Sequence, residues 1–293
     1  MKGVSVPQHV TRWGRVLALT GVLVSIAAAA LTPTAANASD RPGDVAREVS
    51  LRVATFNIHH GAGPDDVLDL EHVAKVIETT GADVVGLQEV DRHWGERSEF
   101  LDEATWLADR LDMRVVYGAN LDLDPAEPGQ ERRQYGTAIL SRYPITSWSN
   151  TYLPKFGDHE QRGLLVANLR VRGVPVRFAN THLQHNDNLE REAQAAKIVE
   201  LLGDNPTRTI LTGDLNAVPG TPEITTLTSV LNDSWVLAGK GDGYTYPAEN
   251  PDRRIDYVLT SRDIDVHHAE VVNADASDHR PYVADITVKR FVK

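Results

Sequence analysis

The sequence predicts an α+β domain of mixed α/β layers. Strand-like runs outnumber helix-like ones, the two are interspersed along the chain, and at least two strand pairs look like hairpins. A doubly wound parallel sheet would alternate strand and helix far more evenly.

The elements follow in order. Residues 51–58 (LRVATFNI) are strand-like. Leu70, Val73, Ala74 and Ile77 then fall at i, i+3, i+4 and i+7 on one helix face, with Asp69 placed to cap the helix and Gly81 to end it. Residues 83–90 (DVVGLQEV) read as a buried strand, and 101–111 as a helix. Residues 120–134 hold Pro125, Pro128, Gly129 and many charges; they read as a loop long enough to rim a site. Strand-like runs return at 136–141, 163–171 and 174–181, the last two joined by Arg172-Gly173. Ala195, Ile198, Val199 and Leu202 repeat the helical spacing over 188–202, with Gly203 as the stop. Further strands are expected at 208–213, 254–260, 264–273 and 281–289. No repeat or linker follows residue 50, so 51–293 is expected to be one domain.

The N-terminus reads as an address. Lys2, Arg12 and Arg15 precede an uncharged apolar stretch over 16–31, and Ala36-Asn37-Ala38 offers a small-x-small cleavage pattern. A membrane anchor would want about 20 apolar residues, and this run is shorter and ends in Thr32-Pro33-Thr34. Residues 1–38 are therefore expected to be a secretory signal peptide, 39–50 a flexible leader, and the mature protein extracellular. Cleavage removes three positive charges and no negative ones, taking the formal charge of −11 down by three to −14.

Composition narrows the chemistry. The 293 residues include 30 basic and 41 acidic side chains, 41% hydrophobic residues and no cysteine. Disulfides, thiolate metal sites, iron–sulfur clusters and a cysteine nucleophile are excluded. The acidic balance speaks against a strongly basic nucleic-acid-binding module. It leaves open a nuclease that works through bound cations.

Polar residues stand at the ends of apolar strands: Asn57, Glu89, Asn180-Thr181-His182 and Asp214-Leu215-Asn216. Asp256 lies within RRIDYVL, and Ser277-Asp278-His279 precedes the last strand. Burying such groups costs several kcal/mol unless they are paired or bind a cation. Each has an ordinary explanation when taken alone. Asn57 and Asn216 suit turns, Glu89 a strand-end ion pair, and His182 a bonded core position. Asp256 suits a partner for Arg253 or Arg254, and Asp278 a turn cap.

Their order argues otherwise. The series TFNIHH, LQEV, QRGLL, NTHL, GDLN, RRIDYVL and SDHRP, from Asn57 to His279, resembles the endonuclease/exonuclease/phosphatase superfamily of deoxyribonuclease-I-like metal hydrolases. The resemblance implies a four-layer α/β/β/α sandwich, two mixed sheets face to face with helices outside and the site at one open end. Glu89 would be the main Mg²⁺ ligand, with Mn²⁺ as a possible substitute and Asn57 as ligand or support; Asp278 and Asp214 would complete the metal set. His279 would be the general base or position the phosphate, with Asp256 orienting its imidazole. Asp214 and Asn216 would hold the nucleophilic water and a phosphate oxygen. His182 would face the phosphoryl oxygens, donating a hydrogen bond or a proton to the leaving group, and Arg162 would contact phosphate.

One departure stands out. Deoxyribonuclease-like relatives back the histidine matching His182 with a glutamate, and here Tyr135 takes that place. This counts against a dedicated deoxyribonuclease.

The expected activity is a metal-dependent hydrolysis of phosphodiesters or phosphomonoesters. The expected substrate is a small molecule, an oligonucleotide or a lipid head group; the enzyme is expected to be monomeric, without a stable protein partner. Three alternatives remain: an extracellular endonuclease, a sphingomyelinase- or phosphoinositide-phosphatase-like hydrolase, and a non-catalytic binding protein on the same fold. Among lesser candidates, His59-His60 would line the mouth, His185, Trp94 and Tyr244-Thr245-Tyr246 would touch substrate, and His267-His268 would face solvent.

Overall fold

The computed structural model describes residues 48–289. The expected signal peptide and most of the expected leader lie outside the described residues.

The strands are β1 (Glu48–Asn57), β2 (Val84–Arg92), β3 (Arg114–Leu123), β4 (Arg133–Ser141), β5 (Ile145–Tyr152), β6 (Gly163–Val171), β7 (Val174–His182), β8 (Thr209–Asp214), β9 (Asn232–Asp233), β10 (Asp256–Thr260), β11 (Ile264–Val271) and β12 (Tyr282–Lys289). The helices are α1 (Leu70–Thr80), α2 (Glu103–Leu111), α3 (Asn188–Leu202), α4 (Pro222–Thr228) and α5 (Ser234–Ala238). Two six-stranded sheets form, ordered β11-β12-β1-β2-β4-β3 and β5-β6-β7-β8-β10-β9. Both are mixed: β1–β2 and β7–β8 are parallel, and the other pairs are antiparallel.

The layers follow from side-chain alternation. In β1, Val53 faces the second sheet, packing with Phe178, Ile210 and Val258, while Ala54 and Phe56 face α1 and α2. Across the second sheet, Ala179 and Leu211 face Ala195 and Ile198 of α3 and Leu227 of α4. Strands buried on both faces read as continuous apolar runs, which is why 51–58 and 84–87 show little polar alternation. The result is the helix/sheet/sheet/helix sandwich. Burying one such Phe or Leu contributes about 1.5–3 kcal/mol.

Helix ends obey local chemistry. The Asp69 carboxylate accepts from His72 N, and Gly81 ends α1 at φ 63°. Asp187 caps α3 in the same way through Glu190 N.

Some boundaries differ from expectation. β1 begins at Glu48, inside the segment expected to be leader, because Glu48–Ser50 pair with Thr287–Lys289 of β12. The expected loop over 120–134 shrinks to 124–132. Its flanks extend β3 and β4, where Asp122 pairs with Gln134 and Leu123 with Arg133.

The two sheets are also joined by polar groups. Gln88 Nε2 donates to Asn180 Oδ1 at 2.6 Å, and Asn180 Nδ2 donates to the carbonyls of Leu87 (2.8 Å) and Ala138 (3.0 Å). Thr212 Oγ1 completes the bridge at 3.1 Å from Asn180 Oδ1. Only glycine fits at position 86, where a Cβ would collide with Thr212 Oγ1 and stand 2.6 Å from Asn180 Oδ1.

Candidate active site

Both parallel pairs, β1–α1–β2 and β7–α3–β8, end at the same end of the sandwich. Ligand sites in layered α/β folds favour the carboxyl ends of parallel strands. Asn57 ends β1 and His182 ends β7. Register then sets neighbours, placing His182 beside Asp214 and Asp214 beside Asp256.

Glu89 owes its aim to a bulge. The β2–β4 register shifts between Leu87 and Val90, and Glu89 takes φ 56°. A left-handed non-glycine residue costs of order 1–3 kcal/mol and persists where its surroundings enforce it. The bulge sends Gln88 into the sheet interface and Glu89 toward the mouth.

Asn57 is the hub. Its Nδ2 lies 2.9 Å from Glu89 Oε1, 3.1 Å from Asp214 Oδ2 and 3.4 Å from His279 Nε2. His279 Nδ1 is 2.9 Å from Asp256 Oδ2, and its Nε2 is 3.6 Å from Asp214 Oδ2. The Tyr246 ring packs on the imidazole, centroids 4.7 Å apart. Ser277 Oγ donates to Asn57 O at 2.7 Å and accepts from His279 N at 3.1 Å, fixing the SDH turn against β1.

A second centre lies beyond Asp214. His182 Nε2 is 3.5 Å from Asp214 Oδ2, and Arg162 Nη1 stands 3.1 Å from His182 Nδ1. Arg162 also donates to Glu160 Oε1 at 2.6 Å, while its buried Nε has no partner among the described residues. Asn216, at φ 49°, donates its backbone N–H to Asp214 Oδ1 at 2.9 Å and its side chain to Leu183 O at 3.1 Å.

Electrostatics divides the two histidines. Burial alone would lower the pKa of His279, but Asp256, Asp214 and Asp278 outweigh it and push it up to about 10. His182 lies well below the usual imidazole range, because of burial and then Arg162 and His279. Burial raises Asp214, with His279 opposing. Burial likewise raises Glu160, with Arg162 opposing.

Glu89, Glu160, Arg162, His182, Asp214, Asn216 and His279 line a cleft of about 600 Å³ that also takes in Tyr135, His185, Arg253 and Asp278, with Asn57 and Asp256 behind it. A divalent cation fits the donor chemistry. The carboxylates of Glu89 and Asp214 converge with His182 within 4.8 Å, and those of Asp214 and Asp256 converge similarly with His279. Asp278 lines the cleft but joins neither group; its Oδ1 stands 3.3 Å from Ser277 Oγ, whose proton goes to Asn57 O, and its charge acts on His279.

Other expectations resolve individually. Asp256 serves His279, while Arg254 pairs with Asp233 at 2.7 Å and Arg253 with Asp252 at 2.8 Å. Thr245 is buried and accepts from Asp256 N, Tyr246 lines the cleft, and Tyr244 lines a separate pocket. Trp94 packs on Tyr135, centroids 5.8 Å apart. His267 and His268 are exposed on edge strand β11. Sequence reasoning missed Glu160; its only signal was its place two residues before Arg162.

Clustered carboxylates, a carboxylate-held imidazole, a second imidazole and a buried arginine around one cleft define a metal-dependent hydrolase of phosphoesters. Comparison agrees. The model of the Endonuclease/Exonuclease/phosphatase family matches residues 54–279, and the chain belongs to that family. A structure of an endonuclease/exonuclease/phosphatase from Beutenbergia cavernae DSM 12333 is 28% identical, with a TM-score of 0.69, covering 82% of this chain and 72% of that one. The Escherichia coli K12 protein YbhP is 27% identical over 188 residues, 59% of this chain and 69% of that protein. The Bacteroides thetaiotaomicron mannosyl-6-phosphatase shares the fold at 20% identity and a TM-score of 0.64, over 80% of this chain and 99% of that one.

Proposed function

We propose that this chain is a secreted, Mg²⁺-dependent phosphoester hydrolase in which His279, oriented by Asp256, activates the attacking water. The observation that carries the reading is the Asp256–His279–Asp214 alignment, which meets Glu89 through Asn57. Glu89 and Asp214 would hold the cation, Asn57 would support both, and Asp278 would add charge at the mouth. Their hard oxygen donors suit Mg²⁺, with Mn²⁺ as substitute. The bound cation would neutralise phosphate charge and lower the pKa of water.

The remaining steps belong to the chain. Asp256 fixes His279 through Nδ1, so Nε2 faces Asp214 and the water it would hold with Asn216. Of the carboxylates that keep a proton on His279, Asp214 is also one whose charge a cation would offset, which would bring the imidazole back toward the range of a working base. Arg162 spends N–H groups on Glu160 and His182 and keeps its unpartnered Nε as a further donor in the site. His182 then presents Nε2–H to the phosphoryl oxygens. Water attacks phosphorus, the ester P–O bond breaks, and the leaving alcohol takes a proton from solvent or from protonated His279.

A small phosphoester or short oligonucleotide is favoured over duplex DNA. Arg132 is committed to Asp122 and Asp124, Arg133 to Asp124 O, Arg253 to Asp252 and Arg254 to Asp233. Little positive surface remains near the motifs to grip a long phosphate backbone. Secretion rests on the charged, apolar and small-residue pattern of 1–38, and mass spectrometry of exported protein should find Ser39 at the N-terminus.

The test is hydrolysis of bis(p-nitrophenyl) phosphate, p-nitrophenyl phosphate and supercoiled plasmid with Mg²⁺. Glu89→Gln and His279→Ala should each lose about 10²–10⁴-fold in turnover with the fold intact. A folded, fully active His279→Ala protein would sink the mechanism. Plasmid nicking that outpaces both small esters would favour the endonuclease. Mg²⁺ binding without turnover of any ester would favour a lipid head group, and no Mg²⁺ binding a non-catalytic role.

A further inference from the structure

A second set of donors reaches Glu89 from the other side. His59 and His60 follow β1 directly in a single 3-10 turn, His59–Gly61. Their rings meet edge to face with centroids 4.4 Å apart. One ring nitrogen from each and one Glu89 oxygen lie within 4.8 Å of one another. His60 is only 6% exposed, and Nδ1 of both rings is buried without a hydrogen-bond partner among the described residues. A buried polar atom left unpaired costs about 1–3 kcal/mol, and two on adjacent residues call for a ligand. Asp66 Oδ1 stands 3.4 Å from His60 Nε2 and leaves Nδ1 unspent.

We propose that His59, His60 and Glu89 form a second cation site, taking a divalent transition ion of the Zn²⁺ type beside the oxygen-donor site. Imidazole nitrogens suit Zn²⁺ and its neighbours, whereas Mg²⁺ prefers oxygen donors and water. Two histidines and one carboxylate leave a fourth position open to water or substrate. The other histidine–carboxylate group away from the cleft differs in this respect. There His159 Nδ1 bonds Glu190 Oε2 at 2.6 Å, Gln194 takes the other Glu190 oxygen, and Asp187 caps α3, so its donors are already used.

The two cation sites share only Glu89, so variants separate them. The metal-stripped full chain is titrated with Zn²⁺ against a chromophoric chelator, and with Co²⁺ by visible absorption and proton NMR. Wild type should take up one Zn²⁺ whose affinity falls about tenfold or more in His59→Gln and in His60→Gln. Asp278→Asn should leave that affinity unchanged. The Co²⁺ form should show hyperfine-shifted imidazole N–H signals from two histidines, a reading that needs no variant to fold. Their absence from wild type, or equal Zn²⁺ affinity in folded His59→Gln and wild type, would overturn the site. Failure of Mg²⁺-dependent turnover would sink the hydrolase reading and leave this one standing.

Discussion

Arg162 Nη1 lies 3.1 Å from His182 Nδ1, and this contact decides what His182 is able to do. A guanidinium only donates, and its charge-assisted bond outweighs that of the neutral Asn216 amide, whose Nδ2 stands 3.1 Å from Nε2; Nδ1 therefore accepts and the ring proton sits on Nε2, which requires the Asn216 amide to turn away. Where deoxyribonuclease-like relatives place a glutamate behind this histidine, the chain has a cation. His182 is thereby a neutral hydrogen-bond donor rather than half of an acid–base pair. In ¹⁵N-labelled protein His182 should show a protonated Nε2 and an unprotonated Nδ1, and should stay neutral at a pH where an ordinary imidazole takes up a proton. Arg162→Ala should lose about 10²–10³-fold in turnover, the usual loss for one donor to developing negative charge. An Nδ1–H tautomer would refute this assignment.

His279 behaves oppositely. With its pKa at about 10 in the cation-free protein against 6.5 when unfolded, the folded state binds an extra proton between those values. The stability it contributes is therefore complete below pH 6.5 and lost as pH rises through about 10. Unfolding free energy of cation-free wild type should fall across this window by up to about 1.4 kcal/mol per pH unit more steeply than that of His279→Gln. Asp256→Asn should lower the imidazole midpoint, read from its C2 proton by NMR. An unchanged midpoint would remove Asp256 as the group that holds the proton.

The sequence disclosed this site because each strand end carries its own short signature, and strand register does the assembling. The α1 pattern, with Asp69 and Gly81 at its ends, is local chemistry and is legible without a fold. β5 was not legible: as an exposed edge strand it buries neither face fully, so Ser147 to Ser149 show no alternation. The helices α4 and α5 span two turns or fewer, too short for an apolar periodicity to emerge. The contact between Arg162 and His182 depends on the antiparallel pairing of β6 with β7, which places Leu164 opposite Thr181. The hairpin through Arg172-Gly173 is legible in the sequence, but the reach of the Arg162 side chain back to His182 is not, and the position of Tyr135 pointed elsewhere.

Gly86 should tolerate no side chain. Gly86→Ala drives a methyl group into Asn180 and Thr212, whose polar atoms bridge the sheets beneath the catalytic end. Overpacking of this kind costs about 1–3 kcal/mol. Urea denaturation should show that loss, and Gly86→Ala combined with Thr212→Ser should not recover it, because the colliding Oγ remains. Full recovery in the double variant would place the conflict at the Thr212 methyl group instead.

The Asp233–Arg254 pair makes a sharper stability prediction. Both side chains are more than nine-tenths buried, Asp233 Oδ2 accepts from Arg254 Nη2 at 2.7 Å, and the guanidinium lies over the Tyr257 ring at 4.5 Å. Asp233 also accepts from Trp235 N and caps α5. Asp233→Ala strands a buried cation and removes the cap, so it should cost about 3–5 kcal/mol, most of it from the uncompensated charge. Asp233→Leu with Arg254→Met removes both charges and should recover most of that loss, since apolar replacements of buried ion pairs are often neutral or stabilising. Arg254 is two residues from Asp256, so the double variant also reports on the active site. Retained turnover would show that the pair acts on stability alone. A loss of turnover with stability restored would show that Arg254 sets the aim of Asp256 toward His279.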